Sequence, residues 1–303
     1  MDHTLTAGSS LGPAIRKAAI LASLAVASTW AREVTDQTGR HVSVPDNPQR
    51  IVSIAPSITE SLYALGLGGR LVGDTNYCDY PPEARSKPHV GALQNPSMEA
   101  IVALKPDLVL GTQEGNGRQT VDQLDRLGIP LYGVTAHTVD GTLRSLEDLG
   151  RVLGWRQPTD KLVESLRVRV GAVENRVKGM NRPNVLFVVW YRPLITAGKS
   201  TFISDVIREA GGVSISDDLA GEWPRMSLEE VLKRNPDIIL FPRTDTFAPA
   251  LEDFQKLPGW GKLPAVQNRR MYLVSETIMR PCPRLVDALE EVANLLHPAP
   301  KAP

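Results

Sequence analysis

Hydrophobic residues alternate along the chain between short apolar runs and longer stretches with apolar positions at helical spacing. From residue 50, the apolar run "RIVSIAP" is followed by "SITESLYALGLG", which has a serine start, helical apolar spacing and a glycine stop. Further strands are predicted at "RLVGDT", "DLVLGT" and "PLYGVT", separated by helices at 97–105 and about 117–127. Because strands that alternate with helices form parallel sheets covered on both faces, this part predicts one α/β lobe.

The same alternation begins again at residue 184 with the continuous apolar run "NVLFVVW". Helices are predicted near 202–210 and at 227–234, and strands at "DIILFP" and "RMYLVS". A last helix is predicted at "PRLVDALEEVANLLH". This part of the chain therefore predicts a second α/β lobe.

A long amphipathic stretch, 158–180, lies between the two lobes. Its apolar residues fall on one helical face, at steps of four, four, three and four: Leu162, Leu166, Val170, Val173 and Val177. At about 1.5 Å per residue such a helix runs for roughly 30 Å, the width of one small domain. The predicted fold is therefore α/β, with two Rossmann-like lobes of mostly parallel sheets, one long backbone helix joining them and a ligand cleft between them.

The first residues of the chain have a different composition from the rest. In "AIRKAAILASLAVASTWA", Arg16 and Lys17 precede a short apolar run, and small residues follow it. This order predicts a cleaved secretory signal peptide, residues 1–31, with cleavage after Ala27 or Ala31. The run is shorter than the roughly 20 residues that span a bilayer, and no cysteine follows it to carry a lipid. We therefore expect a soluble, exported protein.

The remaining chain divides into three parts. Residues 32–137 are predicted to form the N-terminal α/β lobe, 138–182 the interlobe helical segment and 183–303 the C-terminal α/β lobe. The N-terminal lobe opens with "EVTDQTGRHVSVP", in which short alternating runs flank a turn at Thr38 and Gly39. A glycine-centred turn between two such runs predicts a β-hairpin.

Charge and residue spacing exclude several functions. The 303 residues include 34 Lys plus Arg and 34 Asp plus Glu, and this formal net charge of zero argues against a nucleic-acid partner. His41, His89 and His137 lack the spacing of metal ligands, so we expect no metal site. No nucleophile with a base and no paired carboxylates stand out, so we expect no enzyme. Cys78 and Cys282 lie in loops of different lobes, and a disulfide needs Cα atoms within about 7 Å; we predict two unpaired thiols.

One phrase occurs twice, as "SMEAIVALKPDLVL" at 97–110 and as "SLEEVLKRNPDIIL" at 227–240. Both copies predict a capped helix, a turn and a buried strand. Ser97 and Ser227 are the expected N-caps. In the second copy Glu230 lies three residues after the serine, where it is expected to complete a capping box.

Several stretches resemble one known family. "EVTDQTGRHVSVPDNPQRIVSIAPSITE" resembles the opening of the helical-backbone class of periplasmic substrate-binding proteins, which serve ABC importers of cobalamin, haem and ferric siderophores. "TNYCDYPPEA" (75–84), "MEAIVALKPDLVLG" and "WPRMSLEEVL" (223–232) are similar to the cobalamin-binding branch. The resemblance covers about residues 33–296. It implies the fold predicted above and a protein without a cofactor that captures a corrinoid, cobalamin or a related compound. The expected partners are that small ligand and the permease of an ABC importer in the inner membrane, with the binding protein itself a monomer.

A ligand held between two such lobes should meet residues at strand ends that face the cleft. The predicted ligand-binding residues share this position: Pro56, Tyr77, Tyr80, Leu93, Trp190, Tyr191, Trp223, Glu276 and Arg280. Single aromatic residues are most often packing residues. Two features single out these aromatics: "WYRP" stands at a strand end, and Trp223 lies in the polar loop "GEWPR". The aromatic faces would contact a flat macrocycle, and Glu276 and Arg280 would bind its amide arms.

Two of these positions depart from the cobalamin-binding pattern. Leu93 stands where those relatives carry a tryptophan, and Glu276 where they carry an aspartate. An altered pocket would suit a related corrinoid. Haem stays an alternative because Tyr77 or Tyr191 could hold haem iron. A ferric siderophore is a further alternative, which would favour a basic cleft formed by the arginines Arg192, Arg225 and Arg280.

The repeated phrase acquires a second interpretation from the resemblance. In the family, a glutamate at this point of each lobe docks onto arginines of the permease, and the matching residues are Glu99 and Glu229. A purely local interpretation is that each carboxylate stabilises its helix by a few tenths to about 1 kcal/mol. Docking requires both residues to be exposed, on one side of the molecule and away from the ligand.

Overall fold

The computed structural model describes residues 1, 31–113, 115–243, 254 and 256–299. The predicted signal peptide falls outside these residues except at its two ends, so its boundary stays a prediction. Two strands, β1 (Ala31–Thr35) and β2 (His41–Pro45), form the antiparallel hairpin predicted at the start of the first lobe.

Asp36 fixes this hairpin to the lobe behind it. Its carboxylate accepts hydrogen bonds from the backbone N–H groups of Thr38 and Arg40 at 2.9 Å each and of Gly133 at 3.1 Å. Burial alone would raise the pKa of Asp36, but these bonds and the Arg40 guanidinium hold it below its usual value. The hairpin is thereby held against the sheet.

Four parallel strands form the sheet of the N-terminal lobe: β3 (Ile51–Ser53), β4 (Leu71–Gly73), β5 (Leu108–Thr112) and β6 (Leu131–Val134). Their spatial order is β4-β3-β5-β6. Three helices follow strands of this sheet: α1 (Pro56–Ala64), α2 (Met98–Ala103) and α3 (Arg118–Arg126). Successive residues of β5 enter two different cores, Leu108 with Leu62 of α1 and Val109 with Ile101 of α2. This double burial explains why the strands read as continuous apolar runs.

The interlobe segment contains two antiparallel helices, α4 (Val139–Val152) and α5 (Arg156–Val177). The second is the backbone helix, and it begins two residues before the predicted stretch. Leu162 packs on the core of the N-terminal lobe, whereas Val170 and Val173 pack on that of the C-terminal lobe. A Cβ atom at Gly150 would lie 2.3 Å from Thr159 Oγ1, so a glycine is required where the two helices approach.

In the part of the chain that the structure describes, the C-terminal lobe contains five strands: β7 (Asn184–Tyr191), β8 (Leu194–Thr196), β9 (Val213–Ser214), β10 (Ile238–Arg243) and β11 (Met271–Ser275). The order is β11-β10-β7-β8, with β9 also paired to β7, and every pairing is parallel except β7 with β8. Four helices lie in the described residues of this lobe: α6 (Phe202–Glu209), α7 (Leu228–Arg234), α8 (Pro264–Gln267) and α9 (Leu285–Leu296). The predicted fold class is confirmed.

Candidate ligand-binding cleft

A cavity of about 330 Å³ lies between the lobes. This volume is at the lower end of the roughly 300–1,000 Å³ of ligand pockets. The lining residues of the N-terminal lobe follow the carboxyl ends of strands, as Pro56 does after β3 and Thr112 at the end of β5. A larger groove of about 680 Å³ lies between the hairpin and α3, but residues of one lobe alone line it. The interlobe cavity is therefore the candidate site.

Four of the nine predicted ligand residues line this cavity. They come from both lobes: Pro56, Leu93, Trp223 and Arg280. The hydroxyl and amide groups of Ser57, Thr112 and Gln94 also line it, as does the ring of Phe202. The cavity thus combines apolar walls with a few polar groups, which is the usual composition of small-molecule sites.

Trp223 is held by a backbone ladder against β8. Thr196 N–H donates to Pro224 O at 3.1 Å, and Gly198 N–H donates to Glu222 O at 2.8 Å. A Cβ atom at Gly198 would lie 2.1 Å from the carbonyl oxygen of residue 221, so this approach requires glycine. The loop is therefore rigidly positioned although its tryptophan stays 42% exposed. A half-exposed indole on a fixed loop is prepared to stack on a ligand.

Trp190 and Tyr191 end β7 but do not line the cavity. Trp190 is exposed, and its indole N–H donates to Arg192 O at 2.8 Å. The centroid of the Tyr191 ring lies 5.8 Å from that of the Phe254 ring. The central carbon of the Arg192 guanidinium lies over the Tyr191 ring, 5.3 Å from its centroid. Tyr191 is thus engaged in packing.

Tyr77 and Tyr80 lie on the loop after β4 and also remain outside the cavity lining. Cys78 anchors this loop, since its Sγ lies 3.2 Å from the hydroxyls of both Thr59 and Thr75. Both tyrosines are exposed, Tyr77 at 56%. The Tyr80 ring stacks on the guanidinium of Arg284, whose central carbon lies 3.5 Å from the ring centroid.

Arg280 reaches the cavity, but its charge is already balanced. Its Nη1 donates to Glu60 Oε1 at 2.7 Å and to Asp79 Oδ1 at 2.6 Å. Burial alone would lower the pKa of Arg280, and these two carboxylates raise it instead. Glu276, the other predicted polar contact, lies 3.9 Å from Arg280 Nη2 and outside the cavity lining.

Glu60 was not predicted as a functional residue. It lies on α1, in a run of buried positions from Ser57 to Leu62, and is 3% exposed. An acidic residue at the centre of such a helix is the signal that could have identified it, because buried carboxylates are normally paired.

The two repeated helices carry their glutamates in the first turn, where Glu99 and Glu229 are exposed. The predicted caps are present: Ser97 Oγ accepts from Ala100 N–H at 3.2 Å, and Ser227 Oγ accepts from the N–H three residues later at 3.1 Å.

The predicted capping box is incomplete, and this part of the prediction was wrong. The Glu230 carboxylate accepts from Arg234 Nε at 2.6 Å. No hydrogen bond from Ser227 N–H to this carboxylate occurs in the part of the chain that the structure describes. An ion pair one turn along the helix replaces the second half of the box.

Both cysteines are free and buried, which confirms the predicted unpaired thiols. Within residues 31–113, 115–243, 254 and 256–299, no group of three or more His, Cys, Asp or Glu side chains is placed to hold a metal ion. No described helix is both long enough and apolar enough to cross a bilayer.

Two α/β lobes, a spanning helix and a cleft between them define a bilobal solute-binding protein. The family model "Periplasmic binding protein" matches residues 51–277. The ABC transporter substrate-binding lipoprotein YvrC of Bacillus subtilis, itself described as uncharacterized, is 30% identical over 273 residues, 88% of this chain and 85% of its own.

Two solved structures are similar to this fold over most of the chain. The periplasmic vitamin B12 binding protein BtuF of Vibrio cholerae gives a TM-score of 0.73 at 29% identity, covering 83% of this chain and 98% of that one. The periplasmic heme-binding protein RhuT of Roseiflexus sp. RS-1, in apo form, also gives 0.73, at 27% identity, covering 82% and 98%.

The chain belongs to the periplasmic binding protein family. It is therefore an extracytoplasmic solute-binding protein of an ABC importer rather than an enzyme, and its partners are a small-molecule ligand and the importer's permease. Proteins of this family carry a transported ligand rather than a resident cofactor.

Proposed function

We propose that this protein captures a corrinoid, cobalamin or a related compound, in the interlobe cleft and delivers it in the periplasm to an ABC importer. The observation that carries the proposal is the charge balance of the cleft. Among the described residues that line the cavity, Arg280 is the one charged side chain, and it is paired with Glu60 and Asp79. A site whose cation is neutralised favours a macrocycle with uncharged amide arms over an anionic ligand.

The lining residues fit such a ligand. Trp223 offers a flat apolar face from the C-terminal lobe, while Leu93 and Pro56 add apolar contacts from the other lobe. Ser57 and Gln94 supply groups that donate to and accept from amides.

A corrinoid is larger than this cavity, so part of it must extend beyond the lining residues. Side chains next to the cavity would meet that part. Glu276 lies beside Arg280, and Tyr80 lies beside Arg284. Trp190 of β7 is paired in register with Ile195 of β8, and Ile195 forms a β-bridge with Arg225 in the loop that carries Trp223. We propose that these residues, with Tyr77, contact the outer parts of the ligand.

Haem is the second candidate function. The similarity to a heme-binding protein is as close in TM-score as the similarity to the vitamin B12 binding protein. Tyr77 also presents an exposed phenol on the loop beside the cleft, and a tyrosine can hold haem iron.

Calorimetric titration of the mature protein with cyanocobalamin, cobinamide, haemin and a ferric siderophore separates these candidates. The proposal predicts saturable one-to-one binding of at least one corrinoid and weak or no binding of the anionic ligands. If haemin or the siderophore saturates the protein while neither corrinoid binds, the ligand is haem or a ferric siderophore and the corrinoid proposal is wrong.

We further propose that Glu99 and Glu229 dock onto the permease. Two observations support this proposal: each lobe presents one of these carboxylates at the same position of an equivalent helix, and both are exposed. Exposed charges at an interface mainly steer and orient the two partners, so they are suited to seating a two-lobed protein.

A further inference from the structure

A buried cluster of charges joins the two lobes beside the cleft. Glu60 of α1 has a side chain that is 2% exposed, and both of its oxygens accept from the C-terminal lobe. Arg280 Nη1 donates to Oε1 at 2.7 Å, Arg284 Nε donates to Oε2 at 2.7 Å, and the Cys282 thiol donates to Oε2 at 3.1 Å. One carboxylate of the first lobe therefore holds three side chains of the second.

The same two arginines hold the loop that carries Tyr77 and Tyr80. Arg280 Nη1 also donates to Asp79 Oδ1 at 2.6 Å, and the Arg284 guanidinium stacks on the Tyr80 ring at 3.5 Å. The loop, α1 and the start of α9 thus meet through two guanidinium groups.

Glu60 is the carboxylate that both arginines share. The structure describes one carboxylate partner for Arg284, namely Glu60, and Arg284 Nη2 is buried without a hydrogen-bond partner among the described residues. Removing one partner of a buried ion pair leaves the other charge uncompensated in a low-dielectric environment. Loss of Glu60 would therefore leave Arg284 without its described carboxylate partner and Arg280 with Asp79 and, at 3.9 Å, Glu276.

We propose that Glu60 is a positioning residue for ligand capture, which fixes Arg280 and Arg284 so that the lobes keep one separation and the tyrosine loop stays against the cleft. The proposal rests on the ligand-binding function proposed above. Glu60 itself does not line the cavity, so it acts through the arginines and the loop rather than by touching the ligand.

A second charge cluster provides the matched control. Arg169 of α5 donates to Asp287 at 2.6 Å and to Glu290 at 2.7 Å, which fastens the backbone helix to α9. These carboxylates are partly exposed, and none of the three residues lines the cavity. Glu290→Gln therefore breaks an ion pair between elements without reaching the cleft loop.

Binding of cyanocobalamin to Glu60→Gln, Asp79→Asn and Glu290→Gln, measured by calorimetry beside thermal melts, tests the proposal. We expect Kd to rise by about tenfold or more in folded Glu60→Gln and by about threefold in Asp79→Asn, which removes the Arg280–Asp79 contact of the loop and leaves the Tyr80–Arg284 contact in place. We expect Kd to stay within about twofold in Glu290→Gln. Equal, small changes in Kd for Glu60→Gln and Glu290→Gln would overturn the proposal, even if both variants melt earlier.

Amide hydrogen exchange of the ligand-free protein gives a readout that does not depend on the ligand. The N–H of Asn76 donates to Gly91 O at 3.0 Å, and that of Cys78 donates to Thr75 O at 3.0 Å. Both amides lie in the tyrosine loop, which Glu60 does not touch directly. We expect their exchange to accelerate by about tenfold in Glu60→Gln and to stay unchanged in Glu290→Gln.

This second readout separates the two proposals. If the wild-type protein binds none of the four ligands while the loop amides still exchange faster in Glu60→Gln, the ligand assignment fails and the positioning role stands. If Glu60→Gln does not fold, Asp79→Asn decides, because its side chain is 39% exposed and its loss leaves the buried pairs intact. Unchanged amide exchange of the tyrosine loop in a folded Glu60→Gln protein overturns the positioning role. If Glu60→Gln does not fold, unchanged exchange in Asp79→Asn overturns it.

Discussion

Truncating Trp223 to alanine is the most informative single perturbation of the proposed site. The side chain lines the cavity from a loop that is fixed by backbone hydrogen bonds, so its removal should change the ligand contact more than the fold. Its exposed fraction of 42%, applied to an indole area of at most about 250 Å², leaves about 105 Å² for a ligand to cover.

The expected loss of affinity follows from this area. A stacked macrocycle would cover about half to all of it, and at about 25 cal/mol per Å² this is worth about 1.3–2.6 kcal/mol. Kd for cyanocobalamin should therefore rise by roughly ten- to eightyfold in Trp223→Ala. The unfolding midpoint should change little, because a side chain exposed to this degree contributes modestly to the core.

Calorimetry at matched protein concentrations, with a thermal melt of each sample, measures both quantities. Trp155→Phe is the control, because Trp155 lies outside the cavity and its indole N–H donates to Leu65 O at 2.8 Å. The control should bind cyanocobalamin as the wild type does. A Trp223→Ala protein that binds within about twofold of the wild type, or a control that weakens equally, would refute the stacking role.

Three further predictions concern the docking residues, a buried acid and the thiols. Reversing both glutamates, Glu99→Arg with Glu229→Arg, should abolish uptake with ligand affinity nearly unchanged and unfolding free energy lower by at most about 1–2 kcal/mol; normal uptake by the folded double variant would exclude docking through them. Burial raises the pKa of Asp74 to about 6, above its unfolded value of about 3.9, so its contribution to stability is complete below about pH 4 and is lost as pH rises through about 6. Between about pH 4 and 7, the unfolding free energy of Asp74→Asn should therefore increase relative to that of the wild type by up to about 3 kcal/mol. Urea titrations that give the same difference in unfolding free energy between variant and wild type at both pH values would contradict this. Burial also raises the pKa of Cys78 and of Cys282, so both thiols should react with a thiol reagent only after unfolding, and a non-reduced mass lacking two hydrogens would contradict free cysteines.

Much of the fold could be predicted because its signals are local. The strands of both sheets are buried on two faces, which makes their apolar runs continuous, and α5 is long enough for its 3.6-residue period to be recognised. Strands β8 and β9 have three and two residues, which is too short for any period to be seen. Helix α4 escaped separate prediction although its apolar face packs on α5.

The site was less predictable because its geometry depends on contacts distant in sequence. Arg280 lines the cavity between the lobes, but one of the two carboxylates that neutralise it, Glu60, is 220 residues away. Trp223 stood out as an aromatic residue in a polar loop, whereas the ladder to β8 that fixes it involves an unpredicted strand. Glu230 was expected to complete a capping box, but its carboxylate accepts a hydrogen bond from Arg234, one turn later in the helix. Sequence spacing identifies candidates, and tertiary pairing decides what each one contacts.

If the proposed function is right, a corrinoid occupies the cleft between the lobes. A crystal structure of the mature protein with cyanocobalamin would reveal whether it does. We expect one macrocycle between the lobes, with its face within about 4 Å of the Trp223 indole and Arg280 still paired with Glu60 and Asp79. A cleft without the corrinoid under saturating conditions, or a corrinoid bound elsewhere on the surface, would contradict it.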